Sequence, residues 1–309
     1  MHAYLPAALE LRSAIAPWSP LDPAHLAWRL LRLPPSTLFY SPGYNAPLAA
    51  RAAFALTIHD LNHIHFPQAQ SRLKTLYYER ILKPACRRAR VVLTVSDYSR
   101  ERICAWSGLP PERVINVGNG VGGAFRPDGT VMRHPHPYVL CVGNRKPHKN
   151  ERRSLEAFAA VSRSVPHDLL FSGAATPSLL RAIEETGLSG RVHFLGQLSD
   201  RDLAAAYRGA AALLFASLYE GFGLPVLEAM ASGTPVITSN VCSLPEVAGG
   251  AALLVDPYSC PAIAAALEAV LTQPCLARRL TAAGRANAAR YSWERTGLAV
   301  RTVLAAHQS

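Results

Sequence analysis

The chain has 309 residues, of which 50% are hydrophobic and only 17% charged, with a formal net charge of +11. That length holds two domains at roughly 100–200 residues each, and so much apolar side chain excludes a disordered polymer. No apolar run reaches the ~20 residues of a membrane span, because the longest, 204–217, is interrupted by Arg208 and Gly209. The opening MHAYLPAALELRS carries Glu10 and Arg12 where a signal peptide is apolar, so the expected compartment is the cytoplasm.

Cysteines at 86, 104, 141, 242, 260 and 275 are scattered and form no CxxC pair. This spacing predicts reduced, incidental thiols and no structural metal. Residues 1–130 hold 15 Lys+Arg against 8 Asp+Glu, or +7, which leaves +4 for the rest. The densest basic stretch is 71–90, SRLKTLYYERILKPACRRAR. It suits either a solvated helix face or attraction to anionic lipid or a phosphate-bearing acceptor. No nucleic-acid recognition module accompanies it, so nucleic acid is not an expected partner.

In chain order, two helix-like pieces, 6–15 and 24–33, precede the first strand candidate, LFYS at 38–41. FALTIH (54–59), VVLTV (91–95) and VINV (114–117) follow. The stretch 118–137, rich in Gly, Pro and His, breaks the pattern. Six more strand candidates come next: 138–143, 168–173, 191–196, 211–217, 235–239 and 251–255. Most are apolar on both faces, as strands of a parallel sheet covered by helices are. Helical spacing between them, at 154–164, 177–186 and 200–208, completes a doubly wound α/β pattern. The expected division is 1–130 for an N-terminal domain, 131–290 for a C-terminal domain and 291–309 for a terminal helix.

The strongest chemical signal is Glu220-Gly-Phe-Gly-Leu-Pro-Val-Leu-Glu228, at a strand-to-helix turn. Gly221 and Gly223 let the backbone approach a ligand, Pro225 suits a first helical turn, and Ser232-Gly233 stops the helix. The N–H groups of Gly223 and Leu224 then face a phosphate at the positive helix end. A second element, GNRKPHKN at 143–150, follows the strand YVLCV and offers cations to a diphosphate leaving group. A third is His59-Asp60, at the end of FALTI. His63 and His65 follow it, but no carboxylate or cysteine is spaced to complete a metal site with them.

At these residues the chain resembles the retaining glycosyltransferases of family 4, which have a GT-B fold: two Rossmann-like domains facing a cleft. The resemblance runs from about Leu38 to the C-terminus and has a mannosyltransferase-like character. It implies that Glu220 contacts donor-sugar hydroxyls and Glu228 the ribose. It assigns Gly221, Phe222 and Gly223 to the sugar and Leu224 N–H to a phosphate. Lys149 matches the family's diphosphate-binding lysine. Asn144 stands where the family's arginine usually does, with Arg145 beside it, and His59 resembles a histidine near the donor sugar. His59 and Glu220 are thus the catalytic candidates.

Shorter matches at 95–103, 115–121, 244–257 and 291–296 keep the family's order, the last as the start of a helix crossing back to the first domain. The family's usual first strand and glycine-rich loop find no match in the sequence, so a shortened, incomplete N-terminal domain is expected. The lost strands belong beside 38–41, so a hydrophobic edge is expected there. The pieces 6–15 and 24–33, a partner chain or self-association would cover it.

The resemblance implies a metal-independent transfer of a hexose, with GDP-mannose the favoured donor and no other cofactor. The acceptor is expected to be a surface glycan or lipid-linked, reached in peripheral contact with an anionic membrane. The alternative is a non-catalytic nucleotide-sugar-binding subunit acting in a complex.

Overall fold

Two separate parallel sheets carry the chain in a computed structural model that describes residues 19, 21–34, 36–65 and 72–308. The first sheet contains β1 (Leu38–Ser41), β2 (Ala53–Thr57), β3 (Val91–Thr94) and β4 (Val114–Asn116), in spatial order β1-β2-β3-β4. Among the described residues β1 is an edge strand, in register with β2 from Leu38 opposite Ala53. The second sheet contains β5 (Tyr138–Cys141), β6 (Asp168–Phe171), β7 (Val192–Phe194), β8 (Ala212–Phe215), β9 (Val236–Ser239) and β10 (Leu253–Val255). Its order is β10-β9-β8-β5-β6-β7, so the winding reverses between β5 and β8.

Helices of the first unit are α1 (Asp22–Leu30), α2 (Asn62–His65), α3 (Arg72–Tyr77), α4 (Lys83–Arg88) and α5 (Asp97–Ser107). A π-helical turn, Tyr78–Leu82, joins α3 to α4. The second unit carries α6 (Glu151–Val161), α7 (Pro177–Thr186), α8 (Asp200–Gly209) and α9 (Leu224–Ala231). It continues with α10 (Leu244–Ala248), α11 (Cys260–Thr272) and α12 (Pro274–Ala288), and α13 (Trp293–Ala306) ends the chain. Among the described residues no single helix is long and apolar enough to cross a membrane. The candidate piece 6–15 lies outside the described residues. The piece 24–33 falls on α1, whose Asp22 carboxylate accepts from Asn45 and whose Pro23 carbonyl accepts from Leu48 N–H, both in the segment after β1.

The first unit takes in residues up to Gly120 together with Trp293 onward, and the second runs from Val121 to Ser292. One face of the first sheet packs Leu56, Val92 and Val114 against Leu82, Cys86 and Ile103. The other packs Ala55, Val91 and Leu93 against Val300 and Leu304 of α13. In the second unit β5, β6, β8 and β9 are buried along their whole length. Phe158 and Leu155 of α6 and Ile263 and Leu267 of α11 close over them. Residues 121–132 belong with this second unit because Arg208 of α8 holds them: its Nε donates to the Thr130 carbonyl and its Nη1 to that of Arg126. Met132 N–H also donates to the carbonyl of Ala205.

Caps explain where several helices begin. Ser96 Oγ accepts from Ser99 N–H to start α5, Thr176 caps α7 and Ser199 caps α8. Helix α6 starts three residues before its periodic stretch because Asn150 takes the left-handed conformation (φ 57°) and turns the chain into Glu151.

Gly209 closes α8 against β5, where a Cβ would overlap both Tyr138 Oη and the Met132 carbonyl oxygen. Tyr138 is pinned there by donating to the Ala206 carbonyl. Gly209→Ala is therefore expected to lower unfolding free energy by about 1–3 kcal/mol, the usual cost of overpacking. Urea unfolding followed by circular dichroism measures it, and an unchanged midpoint would refute the close packing.

Candidate functional site

In an open doubly wound sheet, neighbouring strands at the reversal point send their following loops in opposite directions, which leaves a crevice at their carboxyl ends. Here those strands are β5 and β8. The loop after β5 carries Gly143 to Asn150, and the loop after β8 carries Ser217 to Gly223. The two strongest sequence motifs thus converge on the crevice of one unit.

Lys149 ends a short 3-10 turn, Pro147–Lys149. Its Nζ donates to Glu220 Oε1 at 2.7 Å and lies 4.9 Å from the centre of the Phe215 ring. Both side chains are only 13% exposed, so each charge depends heavily on the other. Asn150 fastens the loop: its amide donates to the carbonyls of Ala216 and Pro257 at 2.9 and 2.8 Å, and its Oδ1 accepts from Arg153. One side chain thereby ties the ends of β5, β8 and β10 together.

Arg145 is turned the other way. Its Nε donates to the Ala174 carbonyl at 2.7 Å, and its Nη atoms engage the Ser172 carbonyl and Glu151. Burial pushes the Glu151 carboxyl upward, and the neighbouring Arg145 guanidinium pulls it back. Gly143 makes room for this pair, since a Cβ there would overlap Glu151 Oε1. Asn144 Oδ1 accepts from Lys146 N–H at 3.4 Å.

The second loop is shaped by Ser243, whose Oγ lies 3.0 Å from the Glu220 carbonyl and 2.8 Å from that of Phe222. Gly221 and Phe222 are buried, and the Phe222 ring meets Tyr291 edge-on. Gly223 has φ 107° and a Cβ would lie 2.6 Å from Leu244 Cδ2, so only glycine fits. It is the N-cap of α9, with Leu224 and Pro225 in the first turn. One helical turn on, Glu228 accepts from Tyr207 Oη at 3.0 Å. Burial raises the Glu228 carboxyl to about 7, opposed by that hydrogen bond and by Lys149, while Asp200 raises it further. Burial drives the fully enclosed Tyr207 hydroxyl well above its ordinary range.

His59 belongs to the first unit. Its Nε2 lies 3.0 Å from the Pro42 carbonyl, and its own carbonyl accepts from Ser99 Oγ. Asp60 accepts from Asn62 N–H at 2.9 Å, so its carboxylate caps the following turn.

The crevice therefore offers a cation, two carboxylates and an open helix start, a set suited to a polyol phosphate. Sequence reasoning missed Asn150, Ser243 and Tyr207. Asn150 carries a signal, a small polar residue able to take φ > 0 just before a helical run. Ser243 and Tyr207 act through distant partners and carry none.

Residues 128–287 match the family described as Glycosyl transferases group 1, and residues 5–122 match Glycosyltransferase Family 4. The chain is 32% identical over 288 residues to O-antigen chain mannosyltransferase B of Escherichia coli, covering 89% of this chain and 75% of that one. Sucrose-phosphate synthase of Thermosynechococcus elongatus superposes with a TM-score of 0.69 at 27% identity, over 82% of this chain and 69% of its own. Anabaena HepE in complex with UDP and glucose gives 0.69 at 18% identity, over 83% and 72%.

Glu228 also ties stability to pH. Its folded-state value, about 7, lies above the 4.5 of an ordinary glutamate, so the folded chain keeps this proton longer than the unfolded one. The resulting stabilisation is complete below pH 4.5 and is lost as pH rises through about 7. Glu228→Gln removes the effect. The stability of the variant relative to the parent should rise by about 2–3 kcal/mol between pH 5 and pH 8 in urea titrations. A difference that stays flat over that range would contradict a raised Glu228.

Proposed function

The chain belongs to the group 1 glycosyltransferases of family 4, and from that membership we propose that it moves mannose from GDP-mannose to a surface-glycan or lipid-linked acceptor with retention of configuration. The observation that carries the reading is the Lys149–Glu220 pair at the β5/β8 reversal, beside the start of α9. Each partner is a ready ligand for a different part of a nucleotide sugar. On binding, Lys149 exchanges Glu220 for the diphosphate, while Glu220 turns to sugar hydroxyls. Leu224 N–H and the positive end of α9 hold a phosphate oxygen. Gly221, Phe222 and Gly223 lie along the sugar, and Asn144 borders the diphosphate.

Charge develops on the leaving phosphate as the glycosidic bond breaks, and Lys149 with the helix start neutralises it without a metal ion. The departing phosphate then takes the proton of the acceptor hydroxyl, which attacks the same face of the sugar. Glu228 accepts from the ribose hydroxyls in its ionised form. His59 acts in transfer rather than in holding the nucleotide. Arg145 stays with Glu151 and the carbonyls of Ser172 and Ala174, so it supports the loop instead of contacting the donor.

The preference for mannose is supported by the mannosyltransferase among the relatives. Calorimetric titration with GDP, GDP-mannose, UDP-glucose and UDP-N-acetylglucosamine, with chelator present, tests it. Lys149→Ala should weaken GDP and GDP-mannose alike by at least about tenfold, or ~1.4 kcal/mol. Glu220→Gln should weaken GDP-mannose by a similar factor while leaving GDP within about threefold. Binding of no donor by folded protein, or equal losses for GDP and GDP-mannose in the Glu220 variant, would overturn the assignment.

A further inference from the structure

At the amino ends of the strands in the same unit, away from the β5/β8 loops, a second group of side chains converges. Asp168, the first residue of β6, is 1% exposed. Its Oδ2 meets three imidazole nitrogens: His134 Nε2 at 2.8 Å, His136 Nδ1 at 3.1 Å and His193 Nε2 at 3.3 Å. His134 and His136 come from the segment entering β5, and His193 from the edge strand β7. The ligand atoms of His134, Asp168 and His193 all lie within 4.8 Å of one another.

One carboxylate oxygen has two lone pairs, and three imidazole nitrogens stand within reach of it, more than those lone pairs accept from. The same spacings suit coordination. With metal–ligand bonds of about 2.0 Å, a tetrahedral site places its ligand atoms roughly 3.3 Å apart. His193 already lies at that edge, and outward shifts of His134 and His136 by a few tenths of an ångström bring their N···O distances to it. His136, with its side chain 60% exposed, has room to move, and His134, 17% exposed, has less.

The carboxylate is already oriented from behind. Arg191 Nε holds Asp168 Oδ1 at 3.2 Å, and the same guanidinium is fixed by the carbonyls of Ser162 and Val165. An outer partner of this kind sets the direction of a ligating carboxylate. Arg191 also offsets its charge, which leaves imidazole nitrogens and one carboxylate as the donor set. That donor set selects zinc or a similar divalent transition ion over magnesium or calcium.

We propose that His134, Asp168 and His193 form a structural site for a divalent transition-metal ion, zinc foremost, with the exposed His136 turning in beside Asp168 as the fourth ligand. The ion would fasten the segment entering β5 across β6 to the edge strand β7. It takes no part in donor chemistry, which lies at the opposite ends of the strands.

The full chain, freed of metal with a chelator that is then removed, is titrated with Co²⁺. One equivalent should give the visible absorption of a four-coordinate ion with a Kd on the order of 1–10 µM. Zn²⁺ should displace it and raise the thermal midpoint by about 5 °C. His134→Gln and His193→Gln should abolish both effects, and the exposed His136→Gln, which leaves the packing intact, should weaken binding about tenfold. His307→Gln, in the other unit, should change neither. Absence of a one-equivalent cobalt spectrum in the parent protein would overturn the site, as would a spectrum that survives in both the His134 and the His136 variant. The cluster would then be a hydrogen-bond network around Asp168. Donor binding by the metal-free chain is read separately, so either proposal can fail alone.

Discussion

The reversal of winding between β5 and β8 is the constraint on which the rest depends. Parallel strands need a crossover between each pair, and right-handed crossovers cover opposite faces of the sheet on either side of a reversal. The loops leaving β5 and β8 therefore diverge, and their polar groups are left facing an opening. Asn150 keeps that opening from drifting, because its amide reaches the ends of β8 and β10 while its backbone starts α6. Its left-handed conformation is the local cost of placing Lys149 at the mouth.

Two ion pairs of similar exposure then divide the work. Arg145 with Glu151 is tied down by further bonds to two carbonyls and stiffens the loop from inside. Lys149 with Glu220 bridges the two loops themselves. Such a pair is costly to halve, since either partner alone is a charge in a poorly solvated place. It is much less costly to exchange, because a ligand with a diphosphate and hydroxyls supplies both charges with new partners. Glu228, one helical turn further on, sits where burial keeps it partly protonated near neutrality, so its basicity is available to a ligand hydroxyl rather than spent on a salt bridge.

At the other end of the sheet the same effect of burial is outweighed by neighbours. Burial pushes the enclosed Asp168 carboxyl upward, but hydrogen bonds with His134 and His136 and the charge of His136 and His193 hold it below its ordinary value. An enclosed carboxylate with three imidazole nitrogens around one oxygen is an arrangement that a cation completes. The same unit thus uses its strand ends in two ways: backbone and a helix start for an anionic ligand, imidazole and carboxylate for a cationic one.

Local sequence determined the periodic parts. All ten strands of the described residues fall on apolar runs visible in the chain, and the helices α7 and α8 coincide with their periodic stretches to within a residue. The Glu220–Glu228 spacing with its glycines and Pro225 reads directly as a strand-to-helix turn, because glycine freedom and proline restriction act within a few residues. Helix α6 was less legible: its apolar face begins at Ser154, but the helix begins at Glu151 because of the turn at Asn150. Tertiary structure alone decided which side chains meet. Arg145 points to Glu151 and the end of β6, Ser243 reaches the Glu220 loop, and His134 meets His193 across 59 positions of chain. Those pairings depend on strand order, and strand order follows from how covered faces pack, which no window of neighbouring residues encodes.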